Sequence, residues 1–116
     1  MFFKKNKNAR KENRRSPRYK LYQSSYYLTE NGGQAVTDEC WLNDISDGGV
    51  SLDSSKDIPP GRRITVLYKI GTKVRREEAV VRRCGKFIHQ WRCGCEFTGE
   101  DTERSRILED YYREKE

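Results

Sequence analysis

Ile64, Val66, Tyr68 and Ile70 recur at every second position, bracketed by Asp57-Ile58-Pro59-Pro60-Gly61 on one side and Gly71 on the other. A period of two marks a strand with one face buried. The same cadence, extended runs cut by glycine or proline turns, continues from Arg18 to Phe97. No strand–helix alternation interrupts it, so a parallel sheet is excluded and an antiparallel one expected.

The runs can be placed individually. Tyr19, Leu21, Tyr22, Tyr26, Tyr27 and Leu28 form an aromatic-rich strand that ends at Asn31-Gly32-Gly33, residues that reach positive φ cheaply and so favour a hairpin. Gln34 to Ile45 is the next extended run. It meets the small-residue cluster Ser46-Asp47-Gly48-Gly49, after which Val50 and Leu52 resume the alternation. Val74 to Arg83 reads as a further strand, with a turn expected at Cys84-Gly85. Phe87, His89, Trp91, Cys93, Cys95 and Phe97 are then expected on one face of the last strand. The period finally changes: Ile107, Leu108, Tyr111 and Tyr112 form one stripe of a helix, with Thr98 as its N-cap and Glu100 and Asp101 near its positive end. Glu100 with Arg104, and Glu109 with Arg113, are spaced as favourable i,i+4 pairs. The expected fold is all-β with one C-terminal helix, a six-stranded antiparallel β-barrel.

Charge is distributed unevenly. Residues 1–20 carry nine Lys or Arg and one Glu, while the rest of the chain has a slight acidic excess within an overall charge of +6. Basicity confined to one end points to a local anion site or a tail contact, and away from a surface that coats polymeric nucleic acid. Residues 1–13 are accordingly expected to form a flexible basic arm and residues 14–116 the barrel domain with its helix. Met1-Phe2-Phe3 is too short for a signal-peptide core, and no run approaches the ~20 apolar residues of a membrane span, so a cytoplasmic location is expected.

Cys40, Cys84, Cys93 and Cys95 include no Cys-x-x-Cys pair, so zinc-ribbon and redox spacings are absent and the thiols are read as small core hydrophobes. His89 is the single histidine and lies on an apolar stripe. With no recognisable pair of carboxylates beside it, nothing points to acid–base or nucleophilic catalysis, and no enzyme, metal or cofactor is expected. Trp91 suits either core packing or stacking on a base.

Two short motifs carry chemistry. Arg14-Arg15-Ser16-Pro17-Arg18 sets two arginines four apart where the arm meets the first strand. Asp44-Ile45-Ser46-Asp47-Gly48-Gly49 sets a carboxylate and a hydroxyl two apart ahead of glycines. Alone, the first is a solvated leader and the second an Asx-turn. Their order, arginine arm, strand, Asp-x-Ser-x-x-Gly turn, further strands and amphipathic helix, with Gly94-Cys95-Glu96-Phe97 in the last strand, resembles the PilZ domain family over roughly residues 14–112.

That resemblance implies a six-stranded barrel that binds cyclic di-GMP through Arg14 and Arg18, with Arg15 assisting, and through Asp44, Ser46 and Gly49. The chemistry fits. A guanidinium fork bonds phosphate oxygens or the O6 and N7 acceptors of guanine, and a carboxylate accepts from guanine N1–H and its amino group. Gly49 is expected to permit a left-handed turn and close approach of the ligand. Binding would order the arm and relay a signal to a downstream protein partner. Two alternatives stand beside this: a basic-tailed nucleic-acid-binding barrel, and a PilZ-like adaptor that binds no ligand.

Overall fold

The computed structural model describes residues 17–114. Six strands, β1 (Tyr19–Asn31), β2 (Gln34–Ile45), β3 (Gly49–Ser54), β4 (Arg63–Ile70), β5 (Lys73–Phe87) and β6 (Gln90–Phe97), precede one helix, α1 (Thr102–Glu114). The strands close into an antiparallel barrel in the order β1-β2-β3-β6-β5-β4, the expected architecture. Gly32 and Gly33 link β1 to β2 with φ of 57° and 85°, the left-handed pair that matches the twist of a tight hairpin.

Period-two alternation aims Leu42, Ile45, Leu52, Val66, Ala79, Val81 and Cys93 into the barrel, where they are fully buried. Each of the larger aliphatic side chains contributes roughly 1.5–3 kcal/mol by leaving water. Cys40, Cys93 and Cys95 are buried and Cys84 half-buried. Burial pushes the Cys40 and Cys95 thiols up to about 12, and Cys93 upward as well. They remain protonated at neutral pH and pack as apolar groups.

The barrel closes along a narrow seam, where β1 pairs with β4 through Tyr27 with Val66 and Leu28 with Thr65. Side chains extend the seam beyond those residues. The Gln23 amide donates to the Lys69 carbonyl (3.1 Å) and accepts from the Lys69 N–H (2.8 Å), standing in for a peptide group. The Ser25 hydroxyl donates to the Leu67 carbonyl.

The structure corrects the reading of residues 84–97. Cys84 and Gly85 lie within β5, and the chain reverses at Ile88-His89, between the facing residues Phe87 and Gln90. His89 is therefore an exposed turn residue rather than part of the apolar stripe. Phe87 is partly exposed. Trp91, Cys93, Cys95 and Phe97 keep the inward face, with Trp91 packed against the core and the Lys86 ammonium over its ring. Ile88 has φ of +58° and is 73 % exposed, a costly conformation for a β-branched side chain that buries little in return. Ile88→Asn is expected to raise unfolding stability by about 0.5–1 kcal/mol in urea titration. No gain would show that the turn carries no strain.

Helix α1 buries the predicted stripe: Leu108 enters the core and Ile107, Tyr111 and Tyr112 pack against it. Tyr112 stacks on Tyr19 at 4.6 Å and donates its hydroxyl to the Lys20 carbonyl. The N-cap is Asp101, not Thr98. Its carboxylate accepts from the Glu103 and Arg104 amides at 3.0 and 3.2 Å, and those contacts with nearby Arg75 hold it below the usual carboxylate range. The expected Glu100–Arg104 pairing does not form. Arg104 is 2 % exposed and turns inward to Glu77, to the Asp47 and Gly99 carbonyls and to the face of Phe97. At the other end Arg113 pairs with Asp110 instead of Glu109.

Candidate functional site

The turn from Ser46 to Gly49 is held by its own small groups. The Ser46 amide donates to the Gly49 carbonyl at 2.8 Å, and the Ser46 hydroxyl accepts from the Gly48 amide at 3.2 Å. Its O–H stays available to donate outward. The Phe97 amide donates to the Gly48 carbonyl, anchoring the turn to β6. Asp47 reaches the opposite way, toward α1, accepting from the Ser105 hydroxyl and sitting 3.6 Å from the Arg104 guanidinium.

Gly49 has a physical reason different from the expected one. It does not adopt a left-handed conformation. It faces Glu96 across β3 and β6 so closely that an added Cβ would lie 2.2 Å from the Cys95 carbonyl oxygen. Absence of a side chain permits strand pairing there, and the turn's position follows from it.

Beside this turn the outer wall of the barrel is hollowed into a cleft of about 600 Å³. Arg18 stands at one side, its guanidinium donating to the Asp44 carboxylate at 2.7 Å. Arg18 is well exposed to water and Asp44 about one-third exposed, so the pair holds little energy of its own. The opposite side carries three further arginines, Arg82, Arg83 and Arg92. Arg82 pairs with Glu96 at 2.7 Å. Arg92 makes a bidentate bond to Asp53 (2.8 and 3.0 Å) and lies 3.9 Å over the Phe87 ring. That guanidinium, assisted by the Asn43 amide, holds the Asp53 carboxyl below its ordinary value against the opposing effect of burial.

Three register shifts interrupt the ladders, two of them, in β2 and β5, beside the cleft. Between Lys20 and Gln23 the register of β1 against β2 shifts. Asn43 is the extra residue of β2 against β3, and Arg82 that of β5 against β6. Bulges re-aim side chains. Here they align Asp44 with Ser51, Ser51 with Gly94, and Gly94 with Arg83, a single row across β2, β3, β6 and β5.

Of the residues singled out in the sequence, Arg18, Asp44, Ser46 and Gly49 come together around this cleft. Arg14 and Arg15 lie outside the described residues, as does the 1–13 arm. Sequence reasoning missed Arg82, Arg83, Arg92 and Glu96. Two adjacent arginines in a regular strand would face opposite ways, and nothing local signals the bulge that turns both outward. Among the described residues no group of three or more His, Cys, Asp or Glu is disposed to hold a metal ion.

The class defined here is a small antiparallel barrel whose outer wall carries an arginine–carboxylate cleft beside a serine–glycine turn. The chain belongs to the PilZ domain family, a family of cyclic di-GMP-binding domains, whose model matches residues 12–114. A search of curated protein sequences finds no significant match. The fold is shared with the PilZ domain of YcgR from Escherichia coli, solved with c-di-GMP (TM-score 0.64, 19 % identity, covering 86 % of this chain and 92 % of that one). It is shared with MrkH of K. pneumonia, solved as a c-di-GMP complex (TM-score 0.62, 16 % identity, 86 % of this chain and 50 % of that one). The Bacillus subtilis inhibitor of motility MotI/DgrA is also similar (TM-score 0.63, 14 % identity, 87 % and 50 %). The chain thus spans about half the length of the last two.

Proposed function

We propose that this chain is a cyclic di-GMP receptor that binds the dinucleotide through Arg14, Arg15, Arg18, Asp44, Ser46 and Gly49, and that it catalyses no reaction. The observation that carries this reading is the exposed Arg18–Asp44 pair at the side of a nucleotide-sized cleft, next to the Ser46–Gly49 turn. An arginine and a carboxylate held together offer donors and acceptors to both edges of one guanine. Ser46 adds a free hydroxyl donor, and Gly49 lets the turn sit against β6. Ligand phosphates would draw residues 1–13 and the Arg14-Arg15 pair over the cleft, and that ordering would create the surface a downstream protein reads. Residues 14–116 act in this scheme as the domain, residues 1–13 as the arm. A cytoplasmic site of action suits a receptor for a soluble dinucleotide; no described helix is long and apolar enough to cross a membrane.

Calorimetric titration with cyclic di-GMP, GTP and cyclic di-AMP tests the reading. Selective binding of cyclic di-GMP is expected, with losses of ~1–3 kcal/mol for Arg14→Ala and Arg18→Ala and a smaller loss for Ser46→Ala. Absence of binding would favour the adaptor. Salt-steep binding to RNA or DNA without preference for the cyclic dinucleotide would favour the nucleic-acid module.

A further inference from the structure

We infer that Arg83 is a ligand contact in its own right, a further guanidinium delivered from β5 that takes the half of the dinucleotide farthest from Asp44. This rests on the cyclic di-GMP reading of the same cleft. Three independent observations place Arg83 in that role.

The first is direction. Val81 and Cys84 both face inward, yet Arg82 and Arg83 are both exposed, because the bulge at Arg82 inserts one extra outward residue between them. The second is partnership. Arg18 and Arg82 are each paired with a carboxylate of the cleft and Arg92 with the buried Asp53 behind it, whereas among the described residues Arg83 has no hydrogen-bonding or ion-pair partner. Its guanidinium lies over Gly94, with Nε and Nη2 each 3.7 Å from where a Cβ would stand. A planar cation is therefore spread on a floor that carries no side chain. The third is position. Asp44 and Arg83 end the row through Ser51 and Gly94, separated by three strand spacings, roughly 14 Å.

Cyclic di-GMP presents two guanines and two phosphates on one ring. A site limited to Arg18, Asp44 and Ser46 addresses one end of it. Arg83 supplies a fork at the other end, where it serves either the O6 and N7 acceptors of the second guanine or a phosphate, both of which accept two parallel N–H bonds.

The test is calorimetric titration of cyclic di-GMP into the wild type, Arg83→Ala, Arg83→Lys and Arg76→Ala. Arg76 is exposed on the same strand but outside the cleft, and serves as the control for charge alone. Expected are an affinity about tenfold or more weaker for Arg83→Ala, no more than about threefold recovery in Arg83→Lys, and a change within about twofold for Arg76→Ala. Wild-type affinity in Arg83→Ala, alongside normal wild-type binding, overturns the assignment and leaves the receptor reading intact. Full recovery by lysine, or an equal loss in Arg76→Ala, also overturns it, since a point charge would then suffice. A wild type that binds no cyclic di-GMP overturns both.

Discussion

Gly49→Ala is expected to cost about 3 kcal/mol or more of unfolding stability and to abolish ligand binding, although the change adds one methyl group. The added Cβ would lie 2.2 Å from the Cys95 carbonyl oxygen and 3.3 Å from its carbon. These are backbone atoms of a central strand and cannot swing aside. Relief requires β3 and β6 to part where Gly49 faces Glu96 and Val50 faces Cys95, which also strains the Phe97-to-Gly48 hydrogen bond that anchors the turn. Gly94→Ala is the internal comparison. Its Cβ would make ordinary contact with the Arg83 side chain, so stability is expected to change by less than about 1 kcal/mol. Urea unfolding of the two variants separates the cases, and a Gly49→Ala protein as stable as Gly94→Ala would refute the close-approach explanation.

Arg104→Met is expected to cost about 3 kcal/mol, at the lower end of what breaking a buried ion pair costs. Arg104 and Glu77 have side chains only 3 % and 10 % exposed, so truncating the arginine leaves a carboxylate buried beside an apolar group. The loss stays near the lower end because Arg75 still faces Glu77 at 3.1 Å. Removing the charge as well, in Arg104→Met/Glu77→Gln, is expected to recover more than half of the loss. Thermal and urea unfolding of the single and double variants provide the measurement. A double variant no more stable than Arg104→Met would show that the arginine acts through the Asp47 and Gly99 carbonyls and the Phe97 ring, not through charge compensation.

Elements with a regular period were legible in the sequence. The Asn31-Gly32-Gly33 hairpin, the β2 boundaries at Gln34 and Ile45, the inward set of β4 and the stripe of α1 all follow from local alternation and turn chemistry, and the structure has them. The misreadings occur where tertiary contacts override a local cue. Cys84-Gly85 looked like a turn, but β5 runs through it because β6 pairs along its whole length. The reversal instead uses Ile88-His89, residues with no turn signature. Arg104 was assigned a surface pair because the sequence shows its i−4 neighbour and conceals Glu77 on β5. At the candidate site, Arg18, Asp44 and Ser46 announced themselves through spacing. The arginines of the far wall did not, since their placement depends on a bulge.

The seam between β1 and β4 bears on how other chains can meet this one. Sheet proteins commonly recruit partners by strand addition, and unprotected edges invite self-association by the same route. Here every described strand has a neighbour on both sides, and beyond the short β1–β4 ladder the peptide groups of Lys69 are already engaged by Gln23. A strand docking at this stretch of the seam would have to displace Gln23 first. At Lys69, then, a neighbouring chain would meet side chains before it met free peptide groups.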